Sequence, residues 1–292
     1  MLQALKFKVL ASRNALFGLM LYSGDGSKMS YQLTLDDLQN NHHERRDSGL
    51  VMTINLQSSS MQRLVRQVDW IIEKDPDIVV MTEVKFNDKL EYIEGRLGYY
   101  GYHCFYNDNN DGIFRTIIAS RIEGTSYAGS GSDLLAFDPR IESVTCKYRN
   151  VDLCIIGLYA PTNGQSYEQV ECKREFHRRF TAELKQLFAV SSTSFLLLGD
   201  FNLLEPYHVP RYQEFEKWYG EYEDLVESGC KDAFRLFKPL ANEYSWARGH
   251  LSQRLDHAFV RGHIEFEIKD VFYDHHPREN CLSDHSALML EF

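Results

Sequence analysis

Apolar residues recur along the chain at two spacings, and the switches between them outline most of its elements. Leu50-Val51-Met52-Thr53-Ile54 predicts a strand. Ser60 then stands where a helix N-cap belongs, and Leu64, Val65, Val68, Ile71 and Ile72 share one helical face up to Lys74. Strands are expected over residues 77–82, 99–105 and 113–119, with a helix over 88–97 and a polar loop over 107–112. Residues 141–148 and 151–159 read as a hairpin turning at Arg149-Asn150. A long helix over 166–190 leads to the wholly apolar run Phe195-Leu196-Leu197-Leu198, a buried strand. A helix over 211–227 and strands over 257–261, near 264–273 and over 287–292 complete the pattern. Before residue 50 the signals are sparser: residues 5–9 alternate like a strand, 33–43 fit a short helix, and 40–48 form a polar loop. Strands joined by both hairpins and helices imply an α/β fold with mixed sheets.

Chemistry enters at the strand ends. Gly199-Asp200-Phe201-Asn202 follows the apolar run, and the glycine lets the chain turn sharply there. A second strand ends on Glu83, and the first is followed by Asn55. Arg254-Leu255-Asp256-His257 opens one apolar run and Ser283-Asp284-His285 precedes another. Each motif alone is more often a turn or a solvated strand end. Together they place several carboxylates and a histidine where a sheet would gather them into one cleft, the donor set of a hard-cation site with acid–base groups. In that set Glu83 and Asp284 are candidate cation ligands, with Asn55 as a neutral oxygen beside them. Asp200 is the candidate base or anchor for an attacking water. His257 adjoins Asp256, but strand alternation turns it to the opposite face and makes it structural.

The order of these motifs, with Tyr159-Ala160-Pro161-Thr162-Asn163 between Glu83 and Asp200, resembles the endonuclease/exonuclease/phosphatase superfamily, the metal-dependent phosphodiesterases related to exonuclease III and deoxyribonuclease I. The resemblance covers roughly residues 50–292. It implies a four-layered α/β sandwich, two packed mixed β-sheets flanked by helices, with the active site at one edge. It also implies Mg²⁺ as cofactor, with Mn²⁺ substituting. On the same ground Asn202 holds the scissile phosphate, His285 contacts it, Asp256 orients His285, and Tyr159 serves the phosphate or the leaving group. Tyr at 159 points to the exonuclease III-like, abasic-site endonuclease-like side, as does Tyr244-Ser245-Trp246 ahead of Arg254-Leu255-Asp256. Ser245, Trp246 and Asn163 are the candidate substrate contacts. Two departures leave lesion preference open: the loop from Trp246 to Arg254 is short, and Gln253 stands where the vertebrate abasic-site nuclease has Trp. The implied activity is a metal-dependent nuclease acting on DNA. The alternatives are a phosphatase or phosphodiesterase of the same superfamily acting on a lipid or inositol phosphate or on RNA, and a silent scaffold that binds nucleic acid or protein.

Composition narrows this reading. Within 292 residues, motifs spread from Asn55 to His285 must meet at one site. That favours one catalytic domain over 50–292, with 1–49 as an extension packed on it. A net charge of −10 excludes a generally basic nucleic-acid coat, so DNA contact would need a local basic face. Lys173, Arg174, Arg178 and Arg179 on the long helix, with Arg115 and Arg121, are the candidates, the plain alternative being a solvated surface. Six cysteines without a C-x-x-C pair read as reduced thiols, mostly core-filling, in a cytoplasmic protein. Arg13-Asn14 interrupts the apolar part of residues 1–24 and argues against a secretory signal, while organellar targeting by that segment stays open. No apolar run is long enough to span a membrane. Oligomeric state is open, with a monomer favoured.

Overall fold

The computed structural model describes residues 17–22, 28–33, 49–108, 113–128, 135 and 137–292. Two compact units divide the chain, Met1–Asp47 and Ser48–Phe292. In the first, strands β1 (Phe17–Tyr22) and β2 (Lys28–Leu33) pair as an antiparallel hairpin. The expected strand over 5–9 and helix over 33–43 lie outside the described residues, apart from Leu33, which closes β2.

The second unit holds two six-stranded mixed sheets flanked by helices. Its elements run β3 (Leu50–Asn55), α1 (Met61–Lys74), β4 (Ile78–Lys85), α2 (Asp88–Tyr99), β5 (His103–Phe105), β6 (Phe114–Ser120) and β7 (Ser126–Tyr127). They continue with β8 (Ile141–Tyr148), β9 (Val151–Tyr159), α3 (Tyr167–Val190), β10 (Ser194–Asp200), α4 (Gln213–Glu216) and α5 (Tyr219–Glu227). Then come β11 (Lys231–Asp232), α6 (Ala233–Phe237), β12 (Trp246–Arg248), β13 (Leu251–Gln253), β14 (Asp256–Arg261), β15 (Asp270–Asp274), α7 (His276–Glu279) and β16 (Ala287–Glu291). One sheet has the order β15-β16-β3-β4-β6-β5, the other β11-β14-β10-β9-β8-β7. The expected α/β sandwich is thus the fold. No helix among the described residues is long and apolar enough to cross a membrane.

Local signals account for much of this. Ser60 caps α1 by accepting from Arg63 N–H, and Ser166 opens α3 in a reciprocal capping box with Gln169. Arg149 and Asn150 both take positive φ, as the tight turn between β8 and β9 requires. The inner faces of the two sheets meet in one apolar layer that includes Val51, Val80, Ile118, Ile155, Leu196, Val260 and Leu288. Gly157 permits that approach: a Cβ there would lie 2.8 Å from Val80 Cγ1. On the outer face of the second sheet, Phe176, Phe180 and Leu184 of α3 pack with Leu197, Phe201 and Trp218.

Three elements differ from expectation. The strand over 99–105 shortens to β5, because α2 runs on to Tyr99. The helix over 211–227 is split into α4 and α5 because Trp218 leaves helical geometry and is completely buried. The strand near 264–273 is delayed to β15, since Gly262 at φ +92° turns the chain into a 3₁₀ segment, His263–Phe266. Of the cysteines, Cys146, Cys154 and Cys230 are buried as expected of core fillers, whereas Cys172 and Cys281 are exposed.

Gly199 gives a direct test of the strand approach. Its φ is +143°, and a Cβ would lie 2.0 Å from the Leu158 carbonyl oxygen on β9. Backbone strain of about 1–3 kcal/mol and overpacking of similar size should combine in Gly199→Ala. Thermal melting should fall by roughly 5 °C or more. An unchanged melting curve would show that β9 and β10 do not approach in this way.

Candidate active site

The parallel pairs β3–β4 and β9–β10 end at the same side of the sandwich, and the polar strand-end residues collect there. In the second sheet Asp200 has Tyr159 of β9 and Asp256 of β14 as its register partners. Cross-strand partners share a face, so three polar side chains from three strands stand side by side. From the other sheet comes Asn55, whose Nδ2 donates both to Glu83 (2.9 Å) and to Asp200 (3.0 Å). The loop before β16 adds His285, whose Nδ1 lies 2.7 Å from Asp256 Oδ2. One oxygen from each of Asp200 and Asp256 and one ring nitrogen of His285 all lie within 4.8 Å of one another.

Backbone geometry aims these groups. Glu83 sits at φ +55° where the β4–β6 register shifts, a bulge that turns its side chain at the sheet end. Asn202 also takes φ +50°, and its N–H donates to Asp200 Oδ1 at 3.0 Å. Ser283 accepts from His285 N–H and donates to the Asn55 carbonyl, tying the histidine loop to β3. Behind Asp256, Ser245 Oγ accepts the N–H groups of Leu255 and Asp256, while Tyr273 donates to the Asp256 carbonyl. Deeper still, Arg254 is completely buried and bridges Glu205 and Asp232.

The profile of the family described as "Endonuclease/Exonuclease/phosphatase family" matches residues 52–285. The chain belongs to that family. Its enzymes hydrolyse phosphodiester bonds and are metal-dependent. Three solved structures share the fold, each with a TM-score of 0.67. A variant of the Neisseria 3′ phosphatase NExo, bound to product DNA hairpin, is 21% identical over 84% of this chain and 99% of that one. The 3′-5′ exonuclease NExo from Neisseria meningitidis is 23% identical, covering 83% and 99%. An AP endonuclease from Archaeoglobus fulgidus is 22% identical, covering 83% and 98%. No curated protein sequence matches the chain.

The residues present fit the family's metal. Asp256 Oδ1 and Asp284 Oδ1 are buried atoms without a hydrogen-bond partner among the described residues, an arrangement a cation relieves. Burial raises the Asp200 carboxyl to about 8, and the charge of Asp256 adds to the shift against the pull of His285. Burial opposes charge on His285 too, but the hydrogen bond and charge of Asp256 outweigh it and lift the ring to about 10. Burial, with Glu83 and Asp200 nearby, also holds the Tyr159 hydroxyl in its neutral form.

Several residues stand differently from the sequence reading. Asn55 is expected as a neutral oxygen ligand, yet its Oδ1 accepts Gln57 N–H and its Nδ2 faces the carboxylates, so it acts as a donor between Glu83 and Asp200. Ser245 is expected at the substrate but is completely buried beneath Asp256. Trp246 is half-buried, and its Nε1–H donates to Asp284 Oδ2 at 3.0 Å. Asn163 accepts from Lys173 Nζ at 2.6 Å. Asn202 uses one amide hydrogen on the Ala160 carbonyl and keeps the other. His257 turns away from Asp200, with Nε2 against the Leu203 carbonyl.

The candidate basic face does not form among the described residues, and the arginines of α3 fit the plain alternative of a solvated, ion-paired surface. Lys173 and Arg115 are completely buried, and Arg174, Arg178 and Arg179 pair with Glu171, Glu175 and Glu183. Arg121 pairs with Asp75, at the opposite end of β6 from the candidate site. Glu205 and Asp232 carry structure here that sequence reasoning missed, while Ser283, named only within a motif, and Lys173, named as a surface cation, take structural roles instead. Only their spacing to the motifs was visible, not their partners.

Cation uptake should report the raised carboxyl. Metal-free Asp200 keeps its proton below about pH 8, whereas a cation needs the carboxylate nearby. Binding at about pH 6.5 should therefore release a proton, and apparent affinity should rise with pH and level off above about 8. Calorimetry in buffers of different ionisation enthalpy measures this. Proton-free binding at the lower pH would contradict the assignment.

Proposed function

We propose that the chain is a divalent-metal-dependent nuclease of the exonuclease III-like type that hydrolyses phosphodiester bonds in DNA. The observation that carries this reading is the convergence of Asp200, Asp256 and His285 within 4.8 Å. Glu83 joins that cluster through Asn55.

In this reading Glu83 and Asp284 hold Mg²⁺, with Mn²⁺ able to replace it. The bound ion supplies neutralisation of charge on the phosphoryl group and on the departing oxygen. Asp200 orients the attacking water and takes its proton, with Asn55 Nδ2 and Asn202 N–H fixing the direction of its oxygens. His285 remains positively charged at neutral pH, so its Nε2–H donates to a phosphate oxygen while Asp256 fixes the ring through Nδ1. That charge suits anion binding better than proton abstraction. The second amide hydrogen of Asn202 supplies a further donor, and the neutral Tyr159 hydroxyl, hydrogen-bonded to Glu83, would have to turn from it to serve the phosphate. Trp246 steadies Asp284.

DNA is favoured as substrate because the named structural relatives include a phosphatase bound to a product DNA hairpin, a 3′-5′ exonuclease and an AP endonuclease. The paired or buried arginines of α3 and β6 leave the cation to carry much of the phosphate recognition. One relative is named as a 3′ phosphatase, so a 3′-phosphoryl DNA end belongs beside the diester substrates in any test.

With Mg²⁺, wild-type protein should cut at least one substrate among plasmid, single-stranded DNA, abasic duplex and a 3′-phosphoryl end, and excess chelator should stop it. Glu83→Gln should demand more cation for half-maximal rate. Turnover of RNA or inositol phosphates alone would overturn the DNA assignment, and full turnover in chelator would overturn metal dependence.

Asp200→Asn should lower kcat by roughly 10²–10⁴-fold, the range for a lost general base. Substrate binding should hold or tighten, because a negative charge beside the phosphate is gone. Weak binding with normal saturated turnover would make Asp200 a binding residue instead.

A further inference from the structure

Lys173 is a lysine in an unusual place. It lies near the start of α3, with its side chain completely buried, and forms no ion pair among the described residues. The aromatic rings of Trp218 and Phe215 stand 4.9 and 5.7 Å from its Nζ. Burial pulls the Lys173 amine down to about 7, and charged or neutral its buried hydrogens need acceptors. Two are present: the carbonyl oxygen of Asn202 and Oδ1 of Asn163, the latter at 2.6 Å.

Both acceptors belong to the edge of the candidate site. Asn202 lies two residues beyond Asp200, at a left-handed φ of +50° that leaves its carbonyl pointing away from the strand ladder. Asn163 lies four residues beyond Tyr159, in the loop that leads into α3. Asp200 and Tyr159 are register partners on adjacent strands, but the chain leaves each strand immediately afterwards. Strand pairing therefore cannot hold the two following loops. One Ala160 N–H to Asp200 carbonyl bond and the Asn202 Nδ2 bond to the Ala160 carbonyl begin the connection. Lys173 completes it from below.

We propose that Lys173 is a positioning residue: its amino group joins the Asn202 carbonyl to the Asn163 side chain and so holds the Asp200 turn and the loop after Tyr159 in one register. The inference rests on the phosphodiesterase reading for its kinetic consequence, but its structural half does not. A hydrophobic side chain of similar length would fill the space between Trp218 and Phe215 and lose both bonds. The Asp200 turn would then be free to shift by a fraction of an ångström relative to Tyr159, and misplacement on that scale lowers turnover more than binding.

The test compares wild type, Lys173→Met, Lys173→Arg, Asn163→Leu and the Lys173→Met/Asn163→Leu pair. Turnover is read on whichever phosphodiester the wild type cleaves, and amide hydrogen exchange is read over residues 199–204. Lys173→Met should lower kcat by roughly 10–100-fold with KM little changed. Lys173→Arg, which keeps donors for both oxygens, should recover most of that loss. Adding Asn163→Leu to Lys173→Met should cost little more, and exchange over 199–204 should speed up while that over 51–56 stays as in wild type. A folded Lys173→Met with wild-type kcat and wild-type exchange would overturn the proposal. So would a loss that Lys173→Arg does not relieve, or one that appears in KM alone. If Lys173→Met does not fold, Asn163→Leu decides, since it cuts one bond and leaves the amino group: unchanged kcat and exchange overturn the idea. A wild-type protein that cleaves no phosphodiester would sink the functional reading alone, because the exchange comparison still decides the role of Lys173.

Discussion

The hydrogen bond from His285 to Asp256 is the interaction on which the site depends. Asp200, Asp256 and Glu83 bring negative charge to one buried corner, and without compensation such a group would repel itself apart or take up protons. His285 supplies the nearest positive charge, 2.7 Å from Asp256 Oδ2. It is also the element that fastens the loop before β16 to the opposite sheet. The same bond thus lowers the cost of gathering carboxylates and fixes the direction in which the ring's other nitrogen points.

A second charged layer supports the first. Arg254, two residues before Asp256, is completely buried and held by Glu205 from the Asp200 loop and Asp232 from the start of α6. Arg235 reaches Glu205 as well, and Tyr222 donates to Asp232. Removing one member of such a network leaves uncompensated buried charge, typically costing about 3–5 kcal/mol. The arrangement makes the Arg-Leu-Asp motif intelligible: the arginine anchors the strand, the leucine packs, and the aspartate faces the cleft. Ser245 then sets the backbone of Asp256 from behind, which is why a serine that looks like a substrate contact is inaccessible to substrate.

Much of this was legible from the sequence because the signals were local. A serine at the right distance before an amphipathic run, an apolar run that stops at Gly-Asp, and a two-residue turn between alternating segments each fix geometry over a few residues. The carboxylates at strand ends were legible for the same reason. What escaped was set by contacts between distant segments. Lys173 reads as one more surface cation on a helix until Trp218 and Phe215, more than forty residues later, close over it. Glu205 and Asp232 become ligands of Arg254 only through separations of 49 and 22 residues. The orientation of the Asn55 amide depended on Gln57 taking its oxygen, a detail of a left-handed turn that no periodicity reveals.

The pairing of Asp256 with His285 as one catalytic unit is the central claim, and a kinetic double-mutant cycle tests it most directly. Turnover would be measured at saturating cation for wild type, Asp256→Asn, His285→Ala and the double variant. If Asp256 acts through the ring, His285→Ala already removes most of what Asp256 contributes, and the double variant is little slower than His285→Ala. Losses that multiply strictly would show two independent groups and contradict the account.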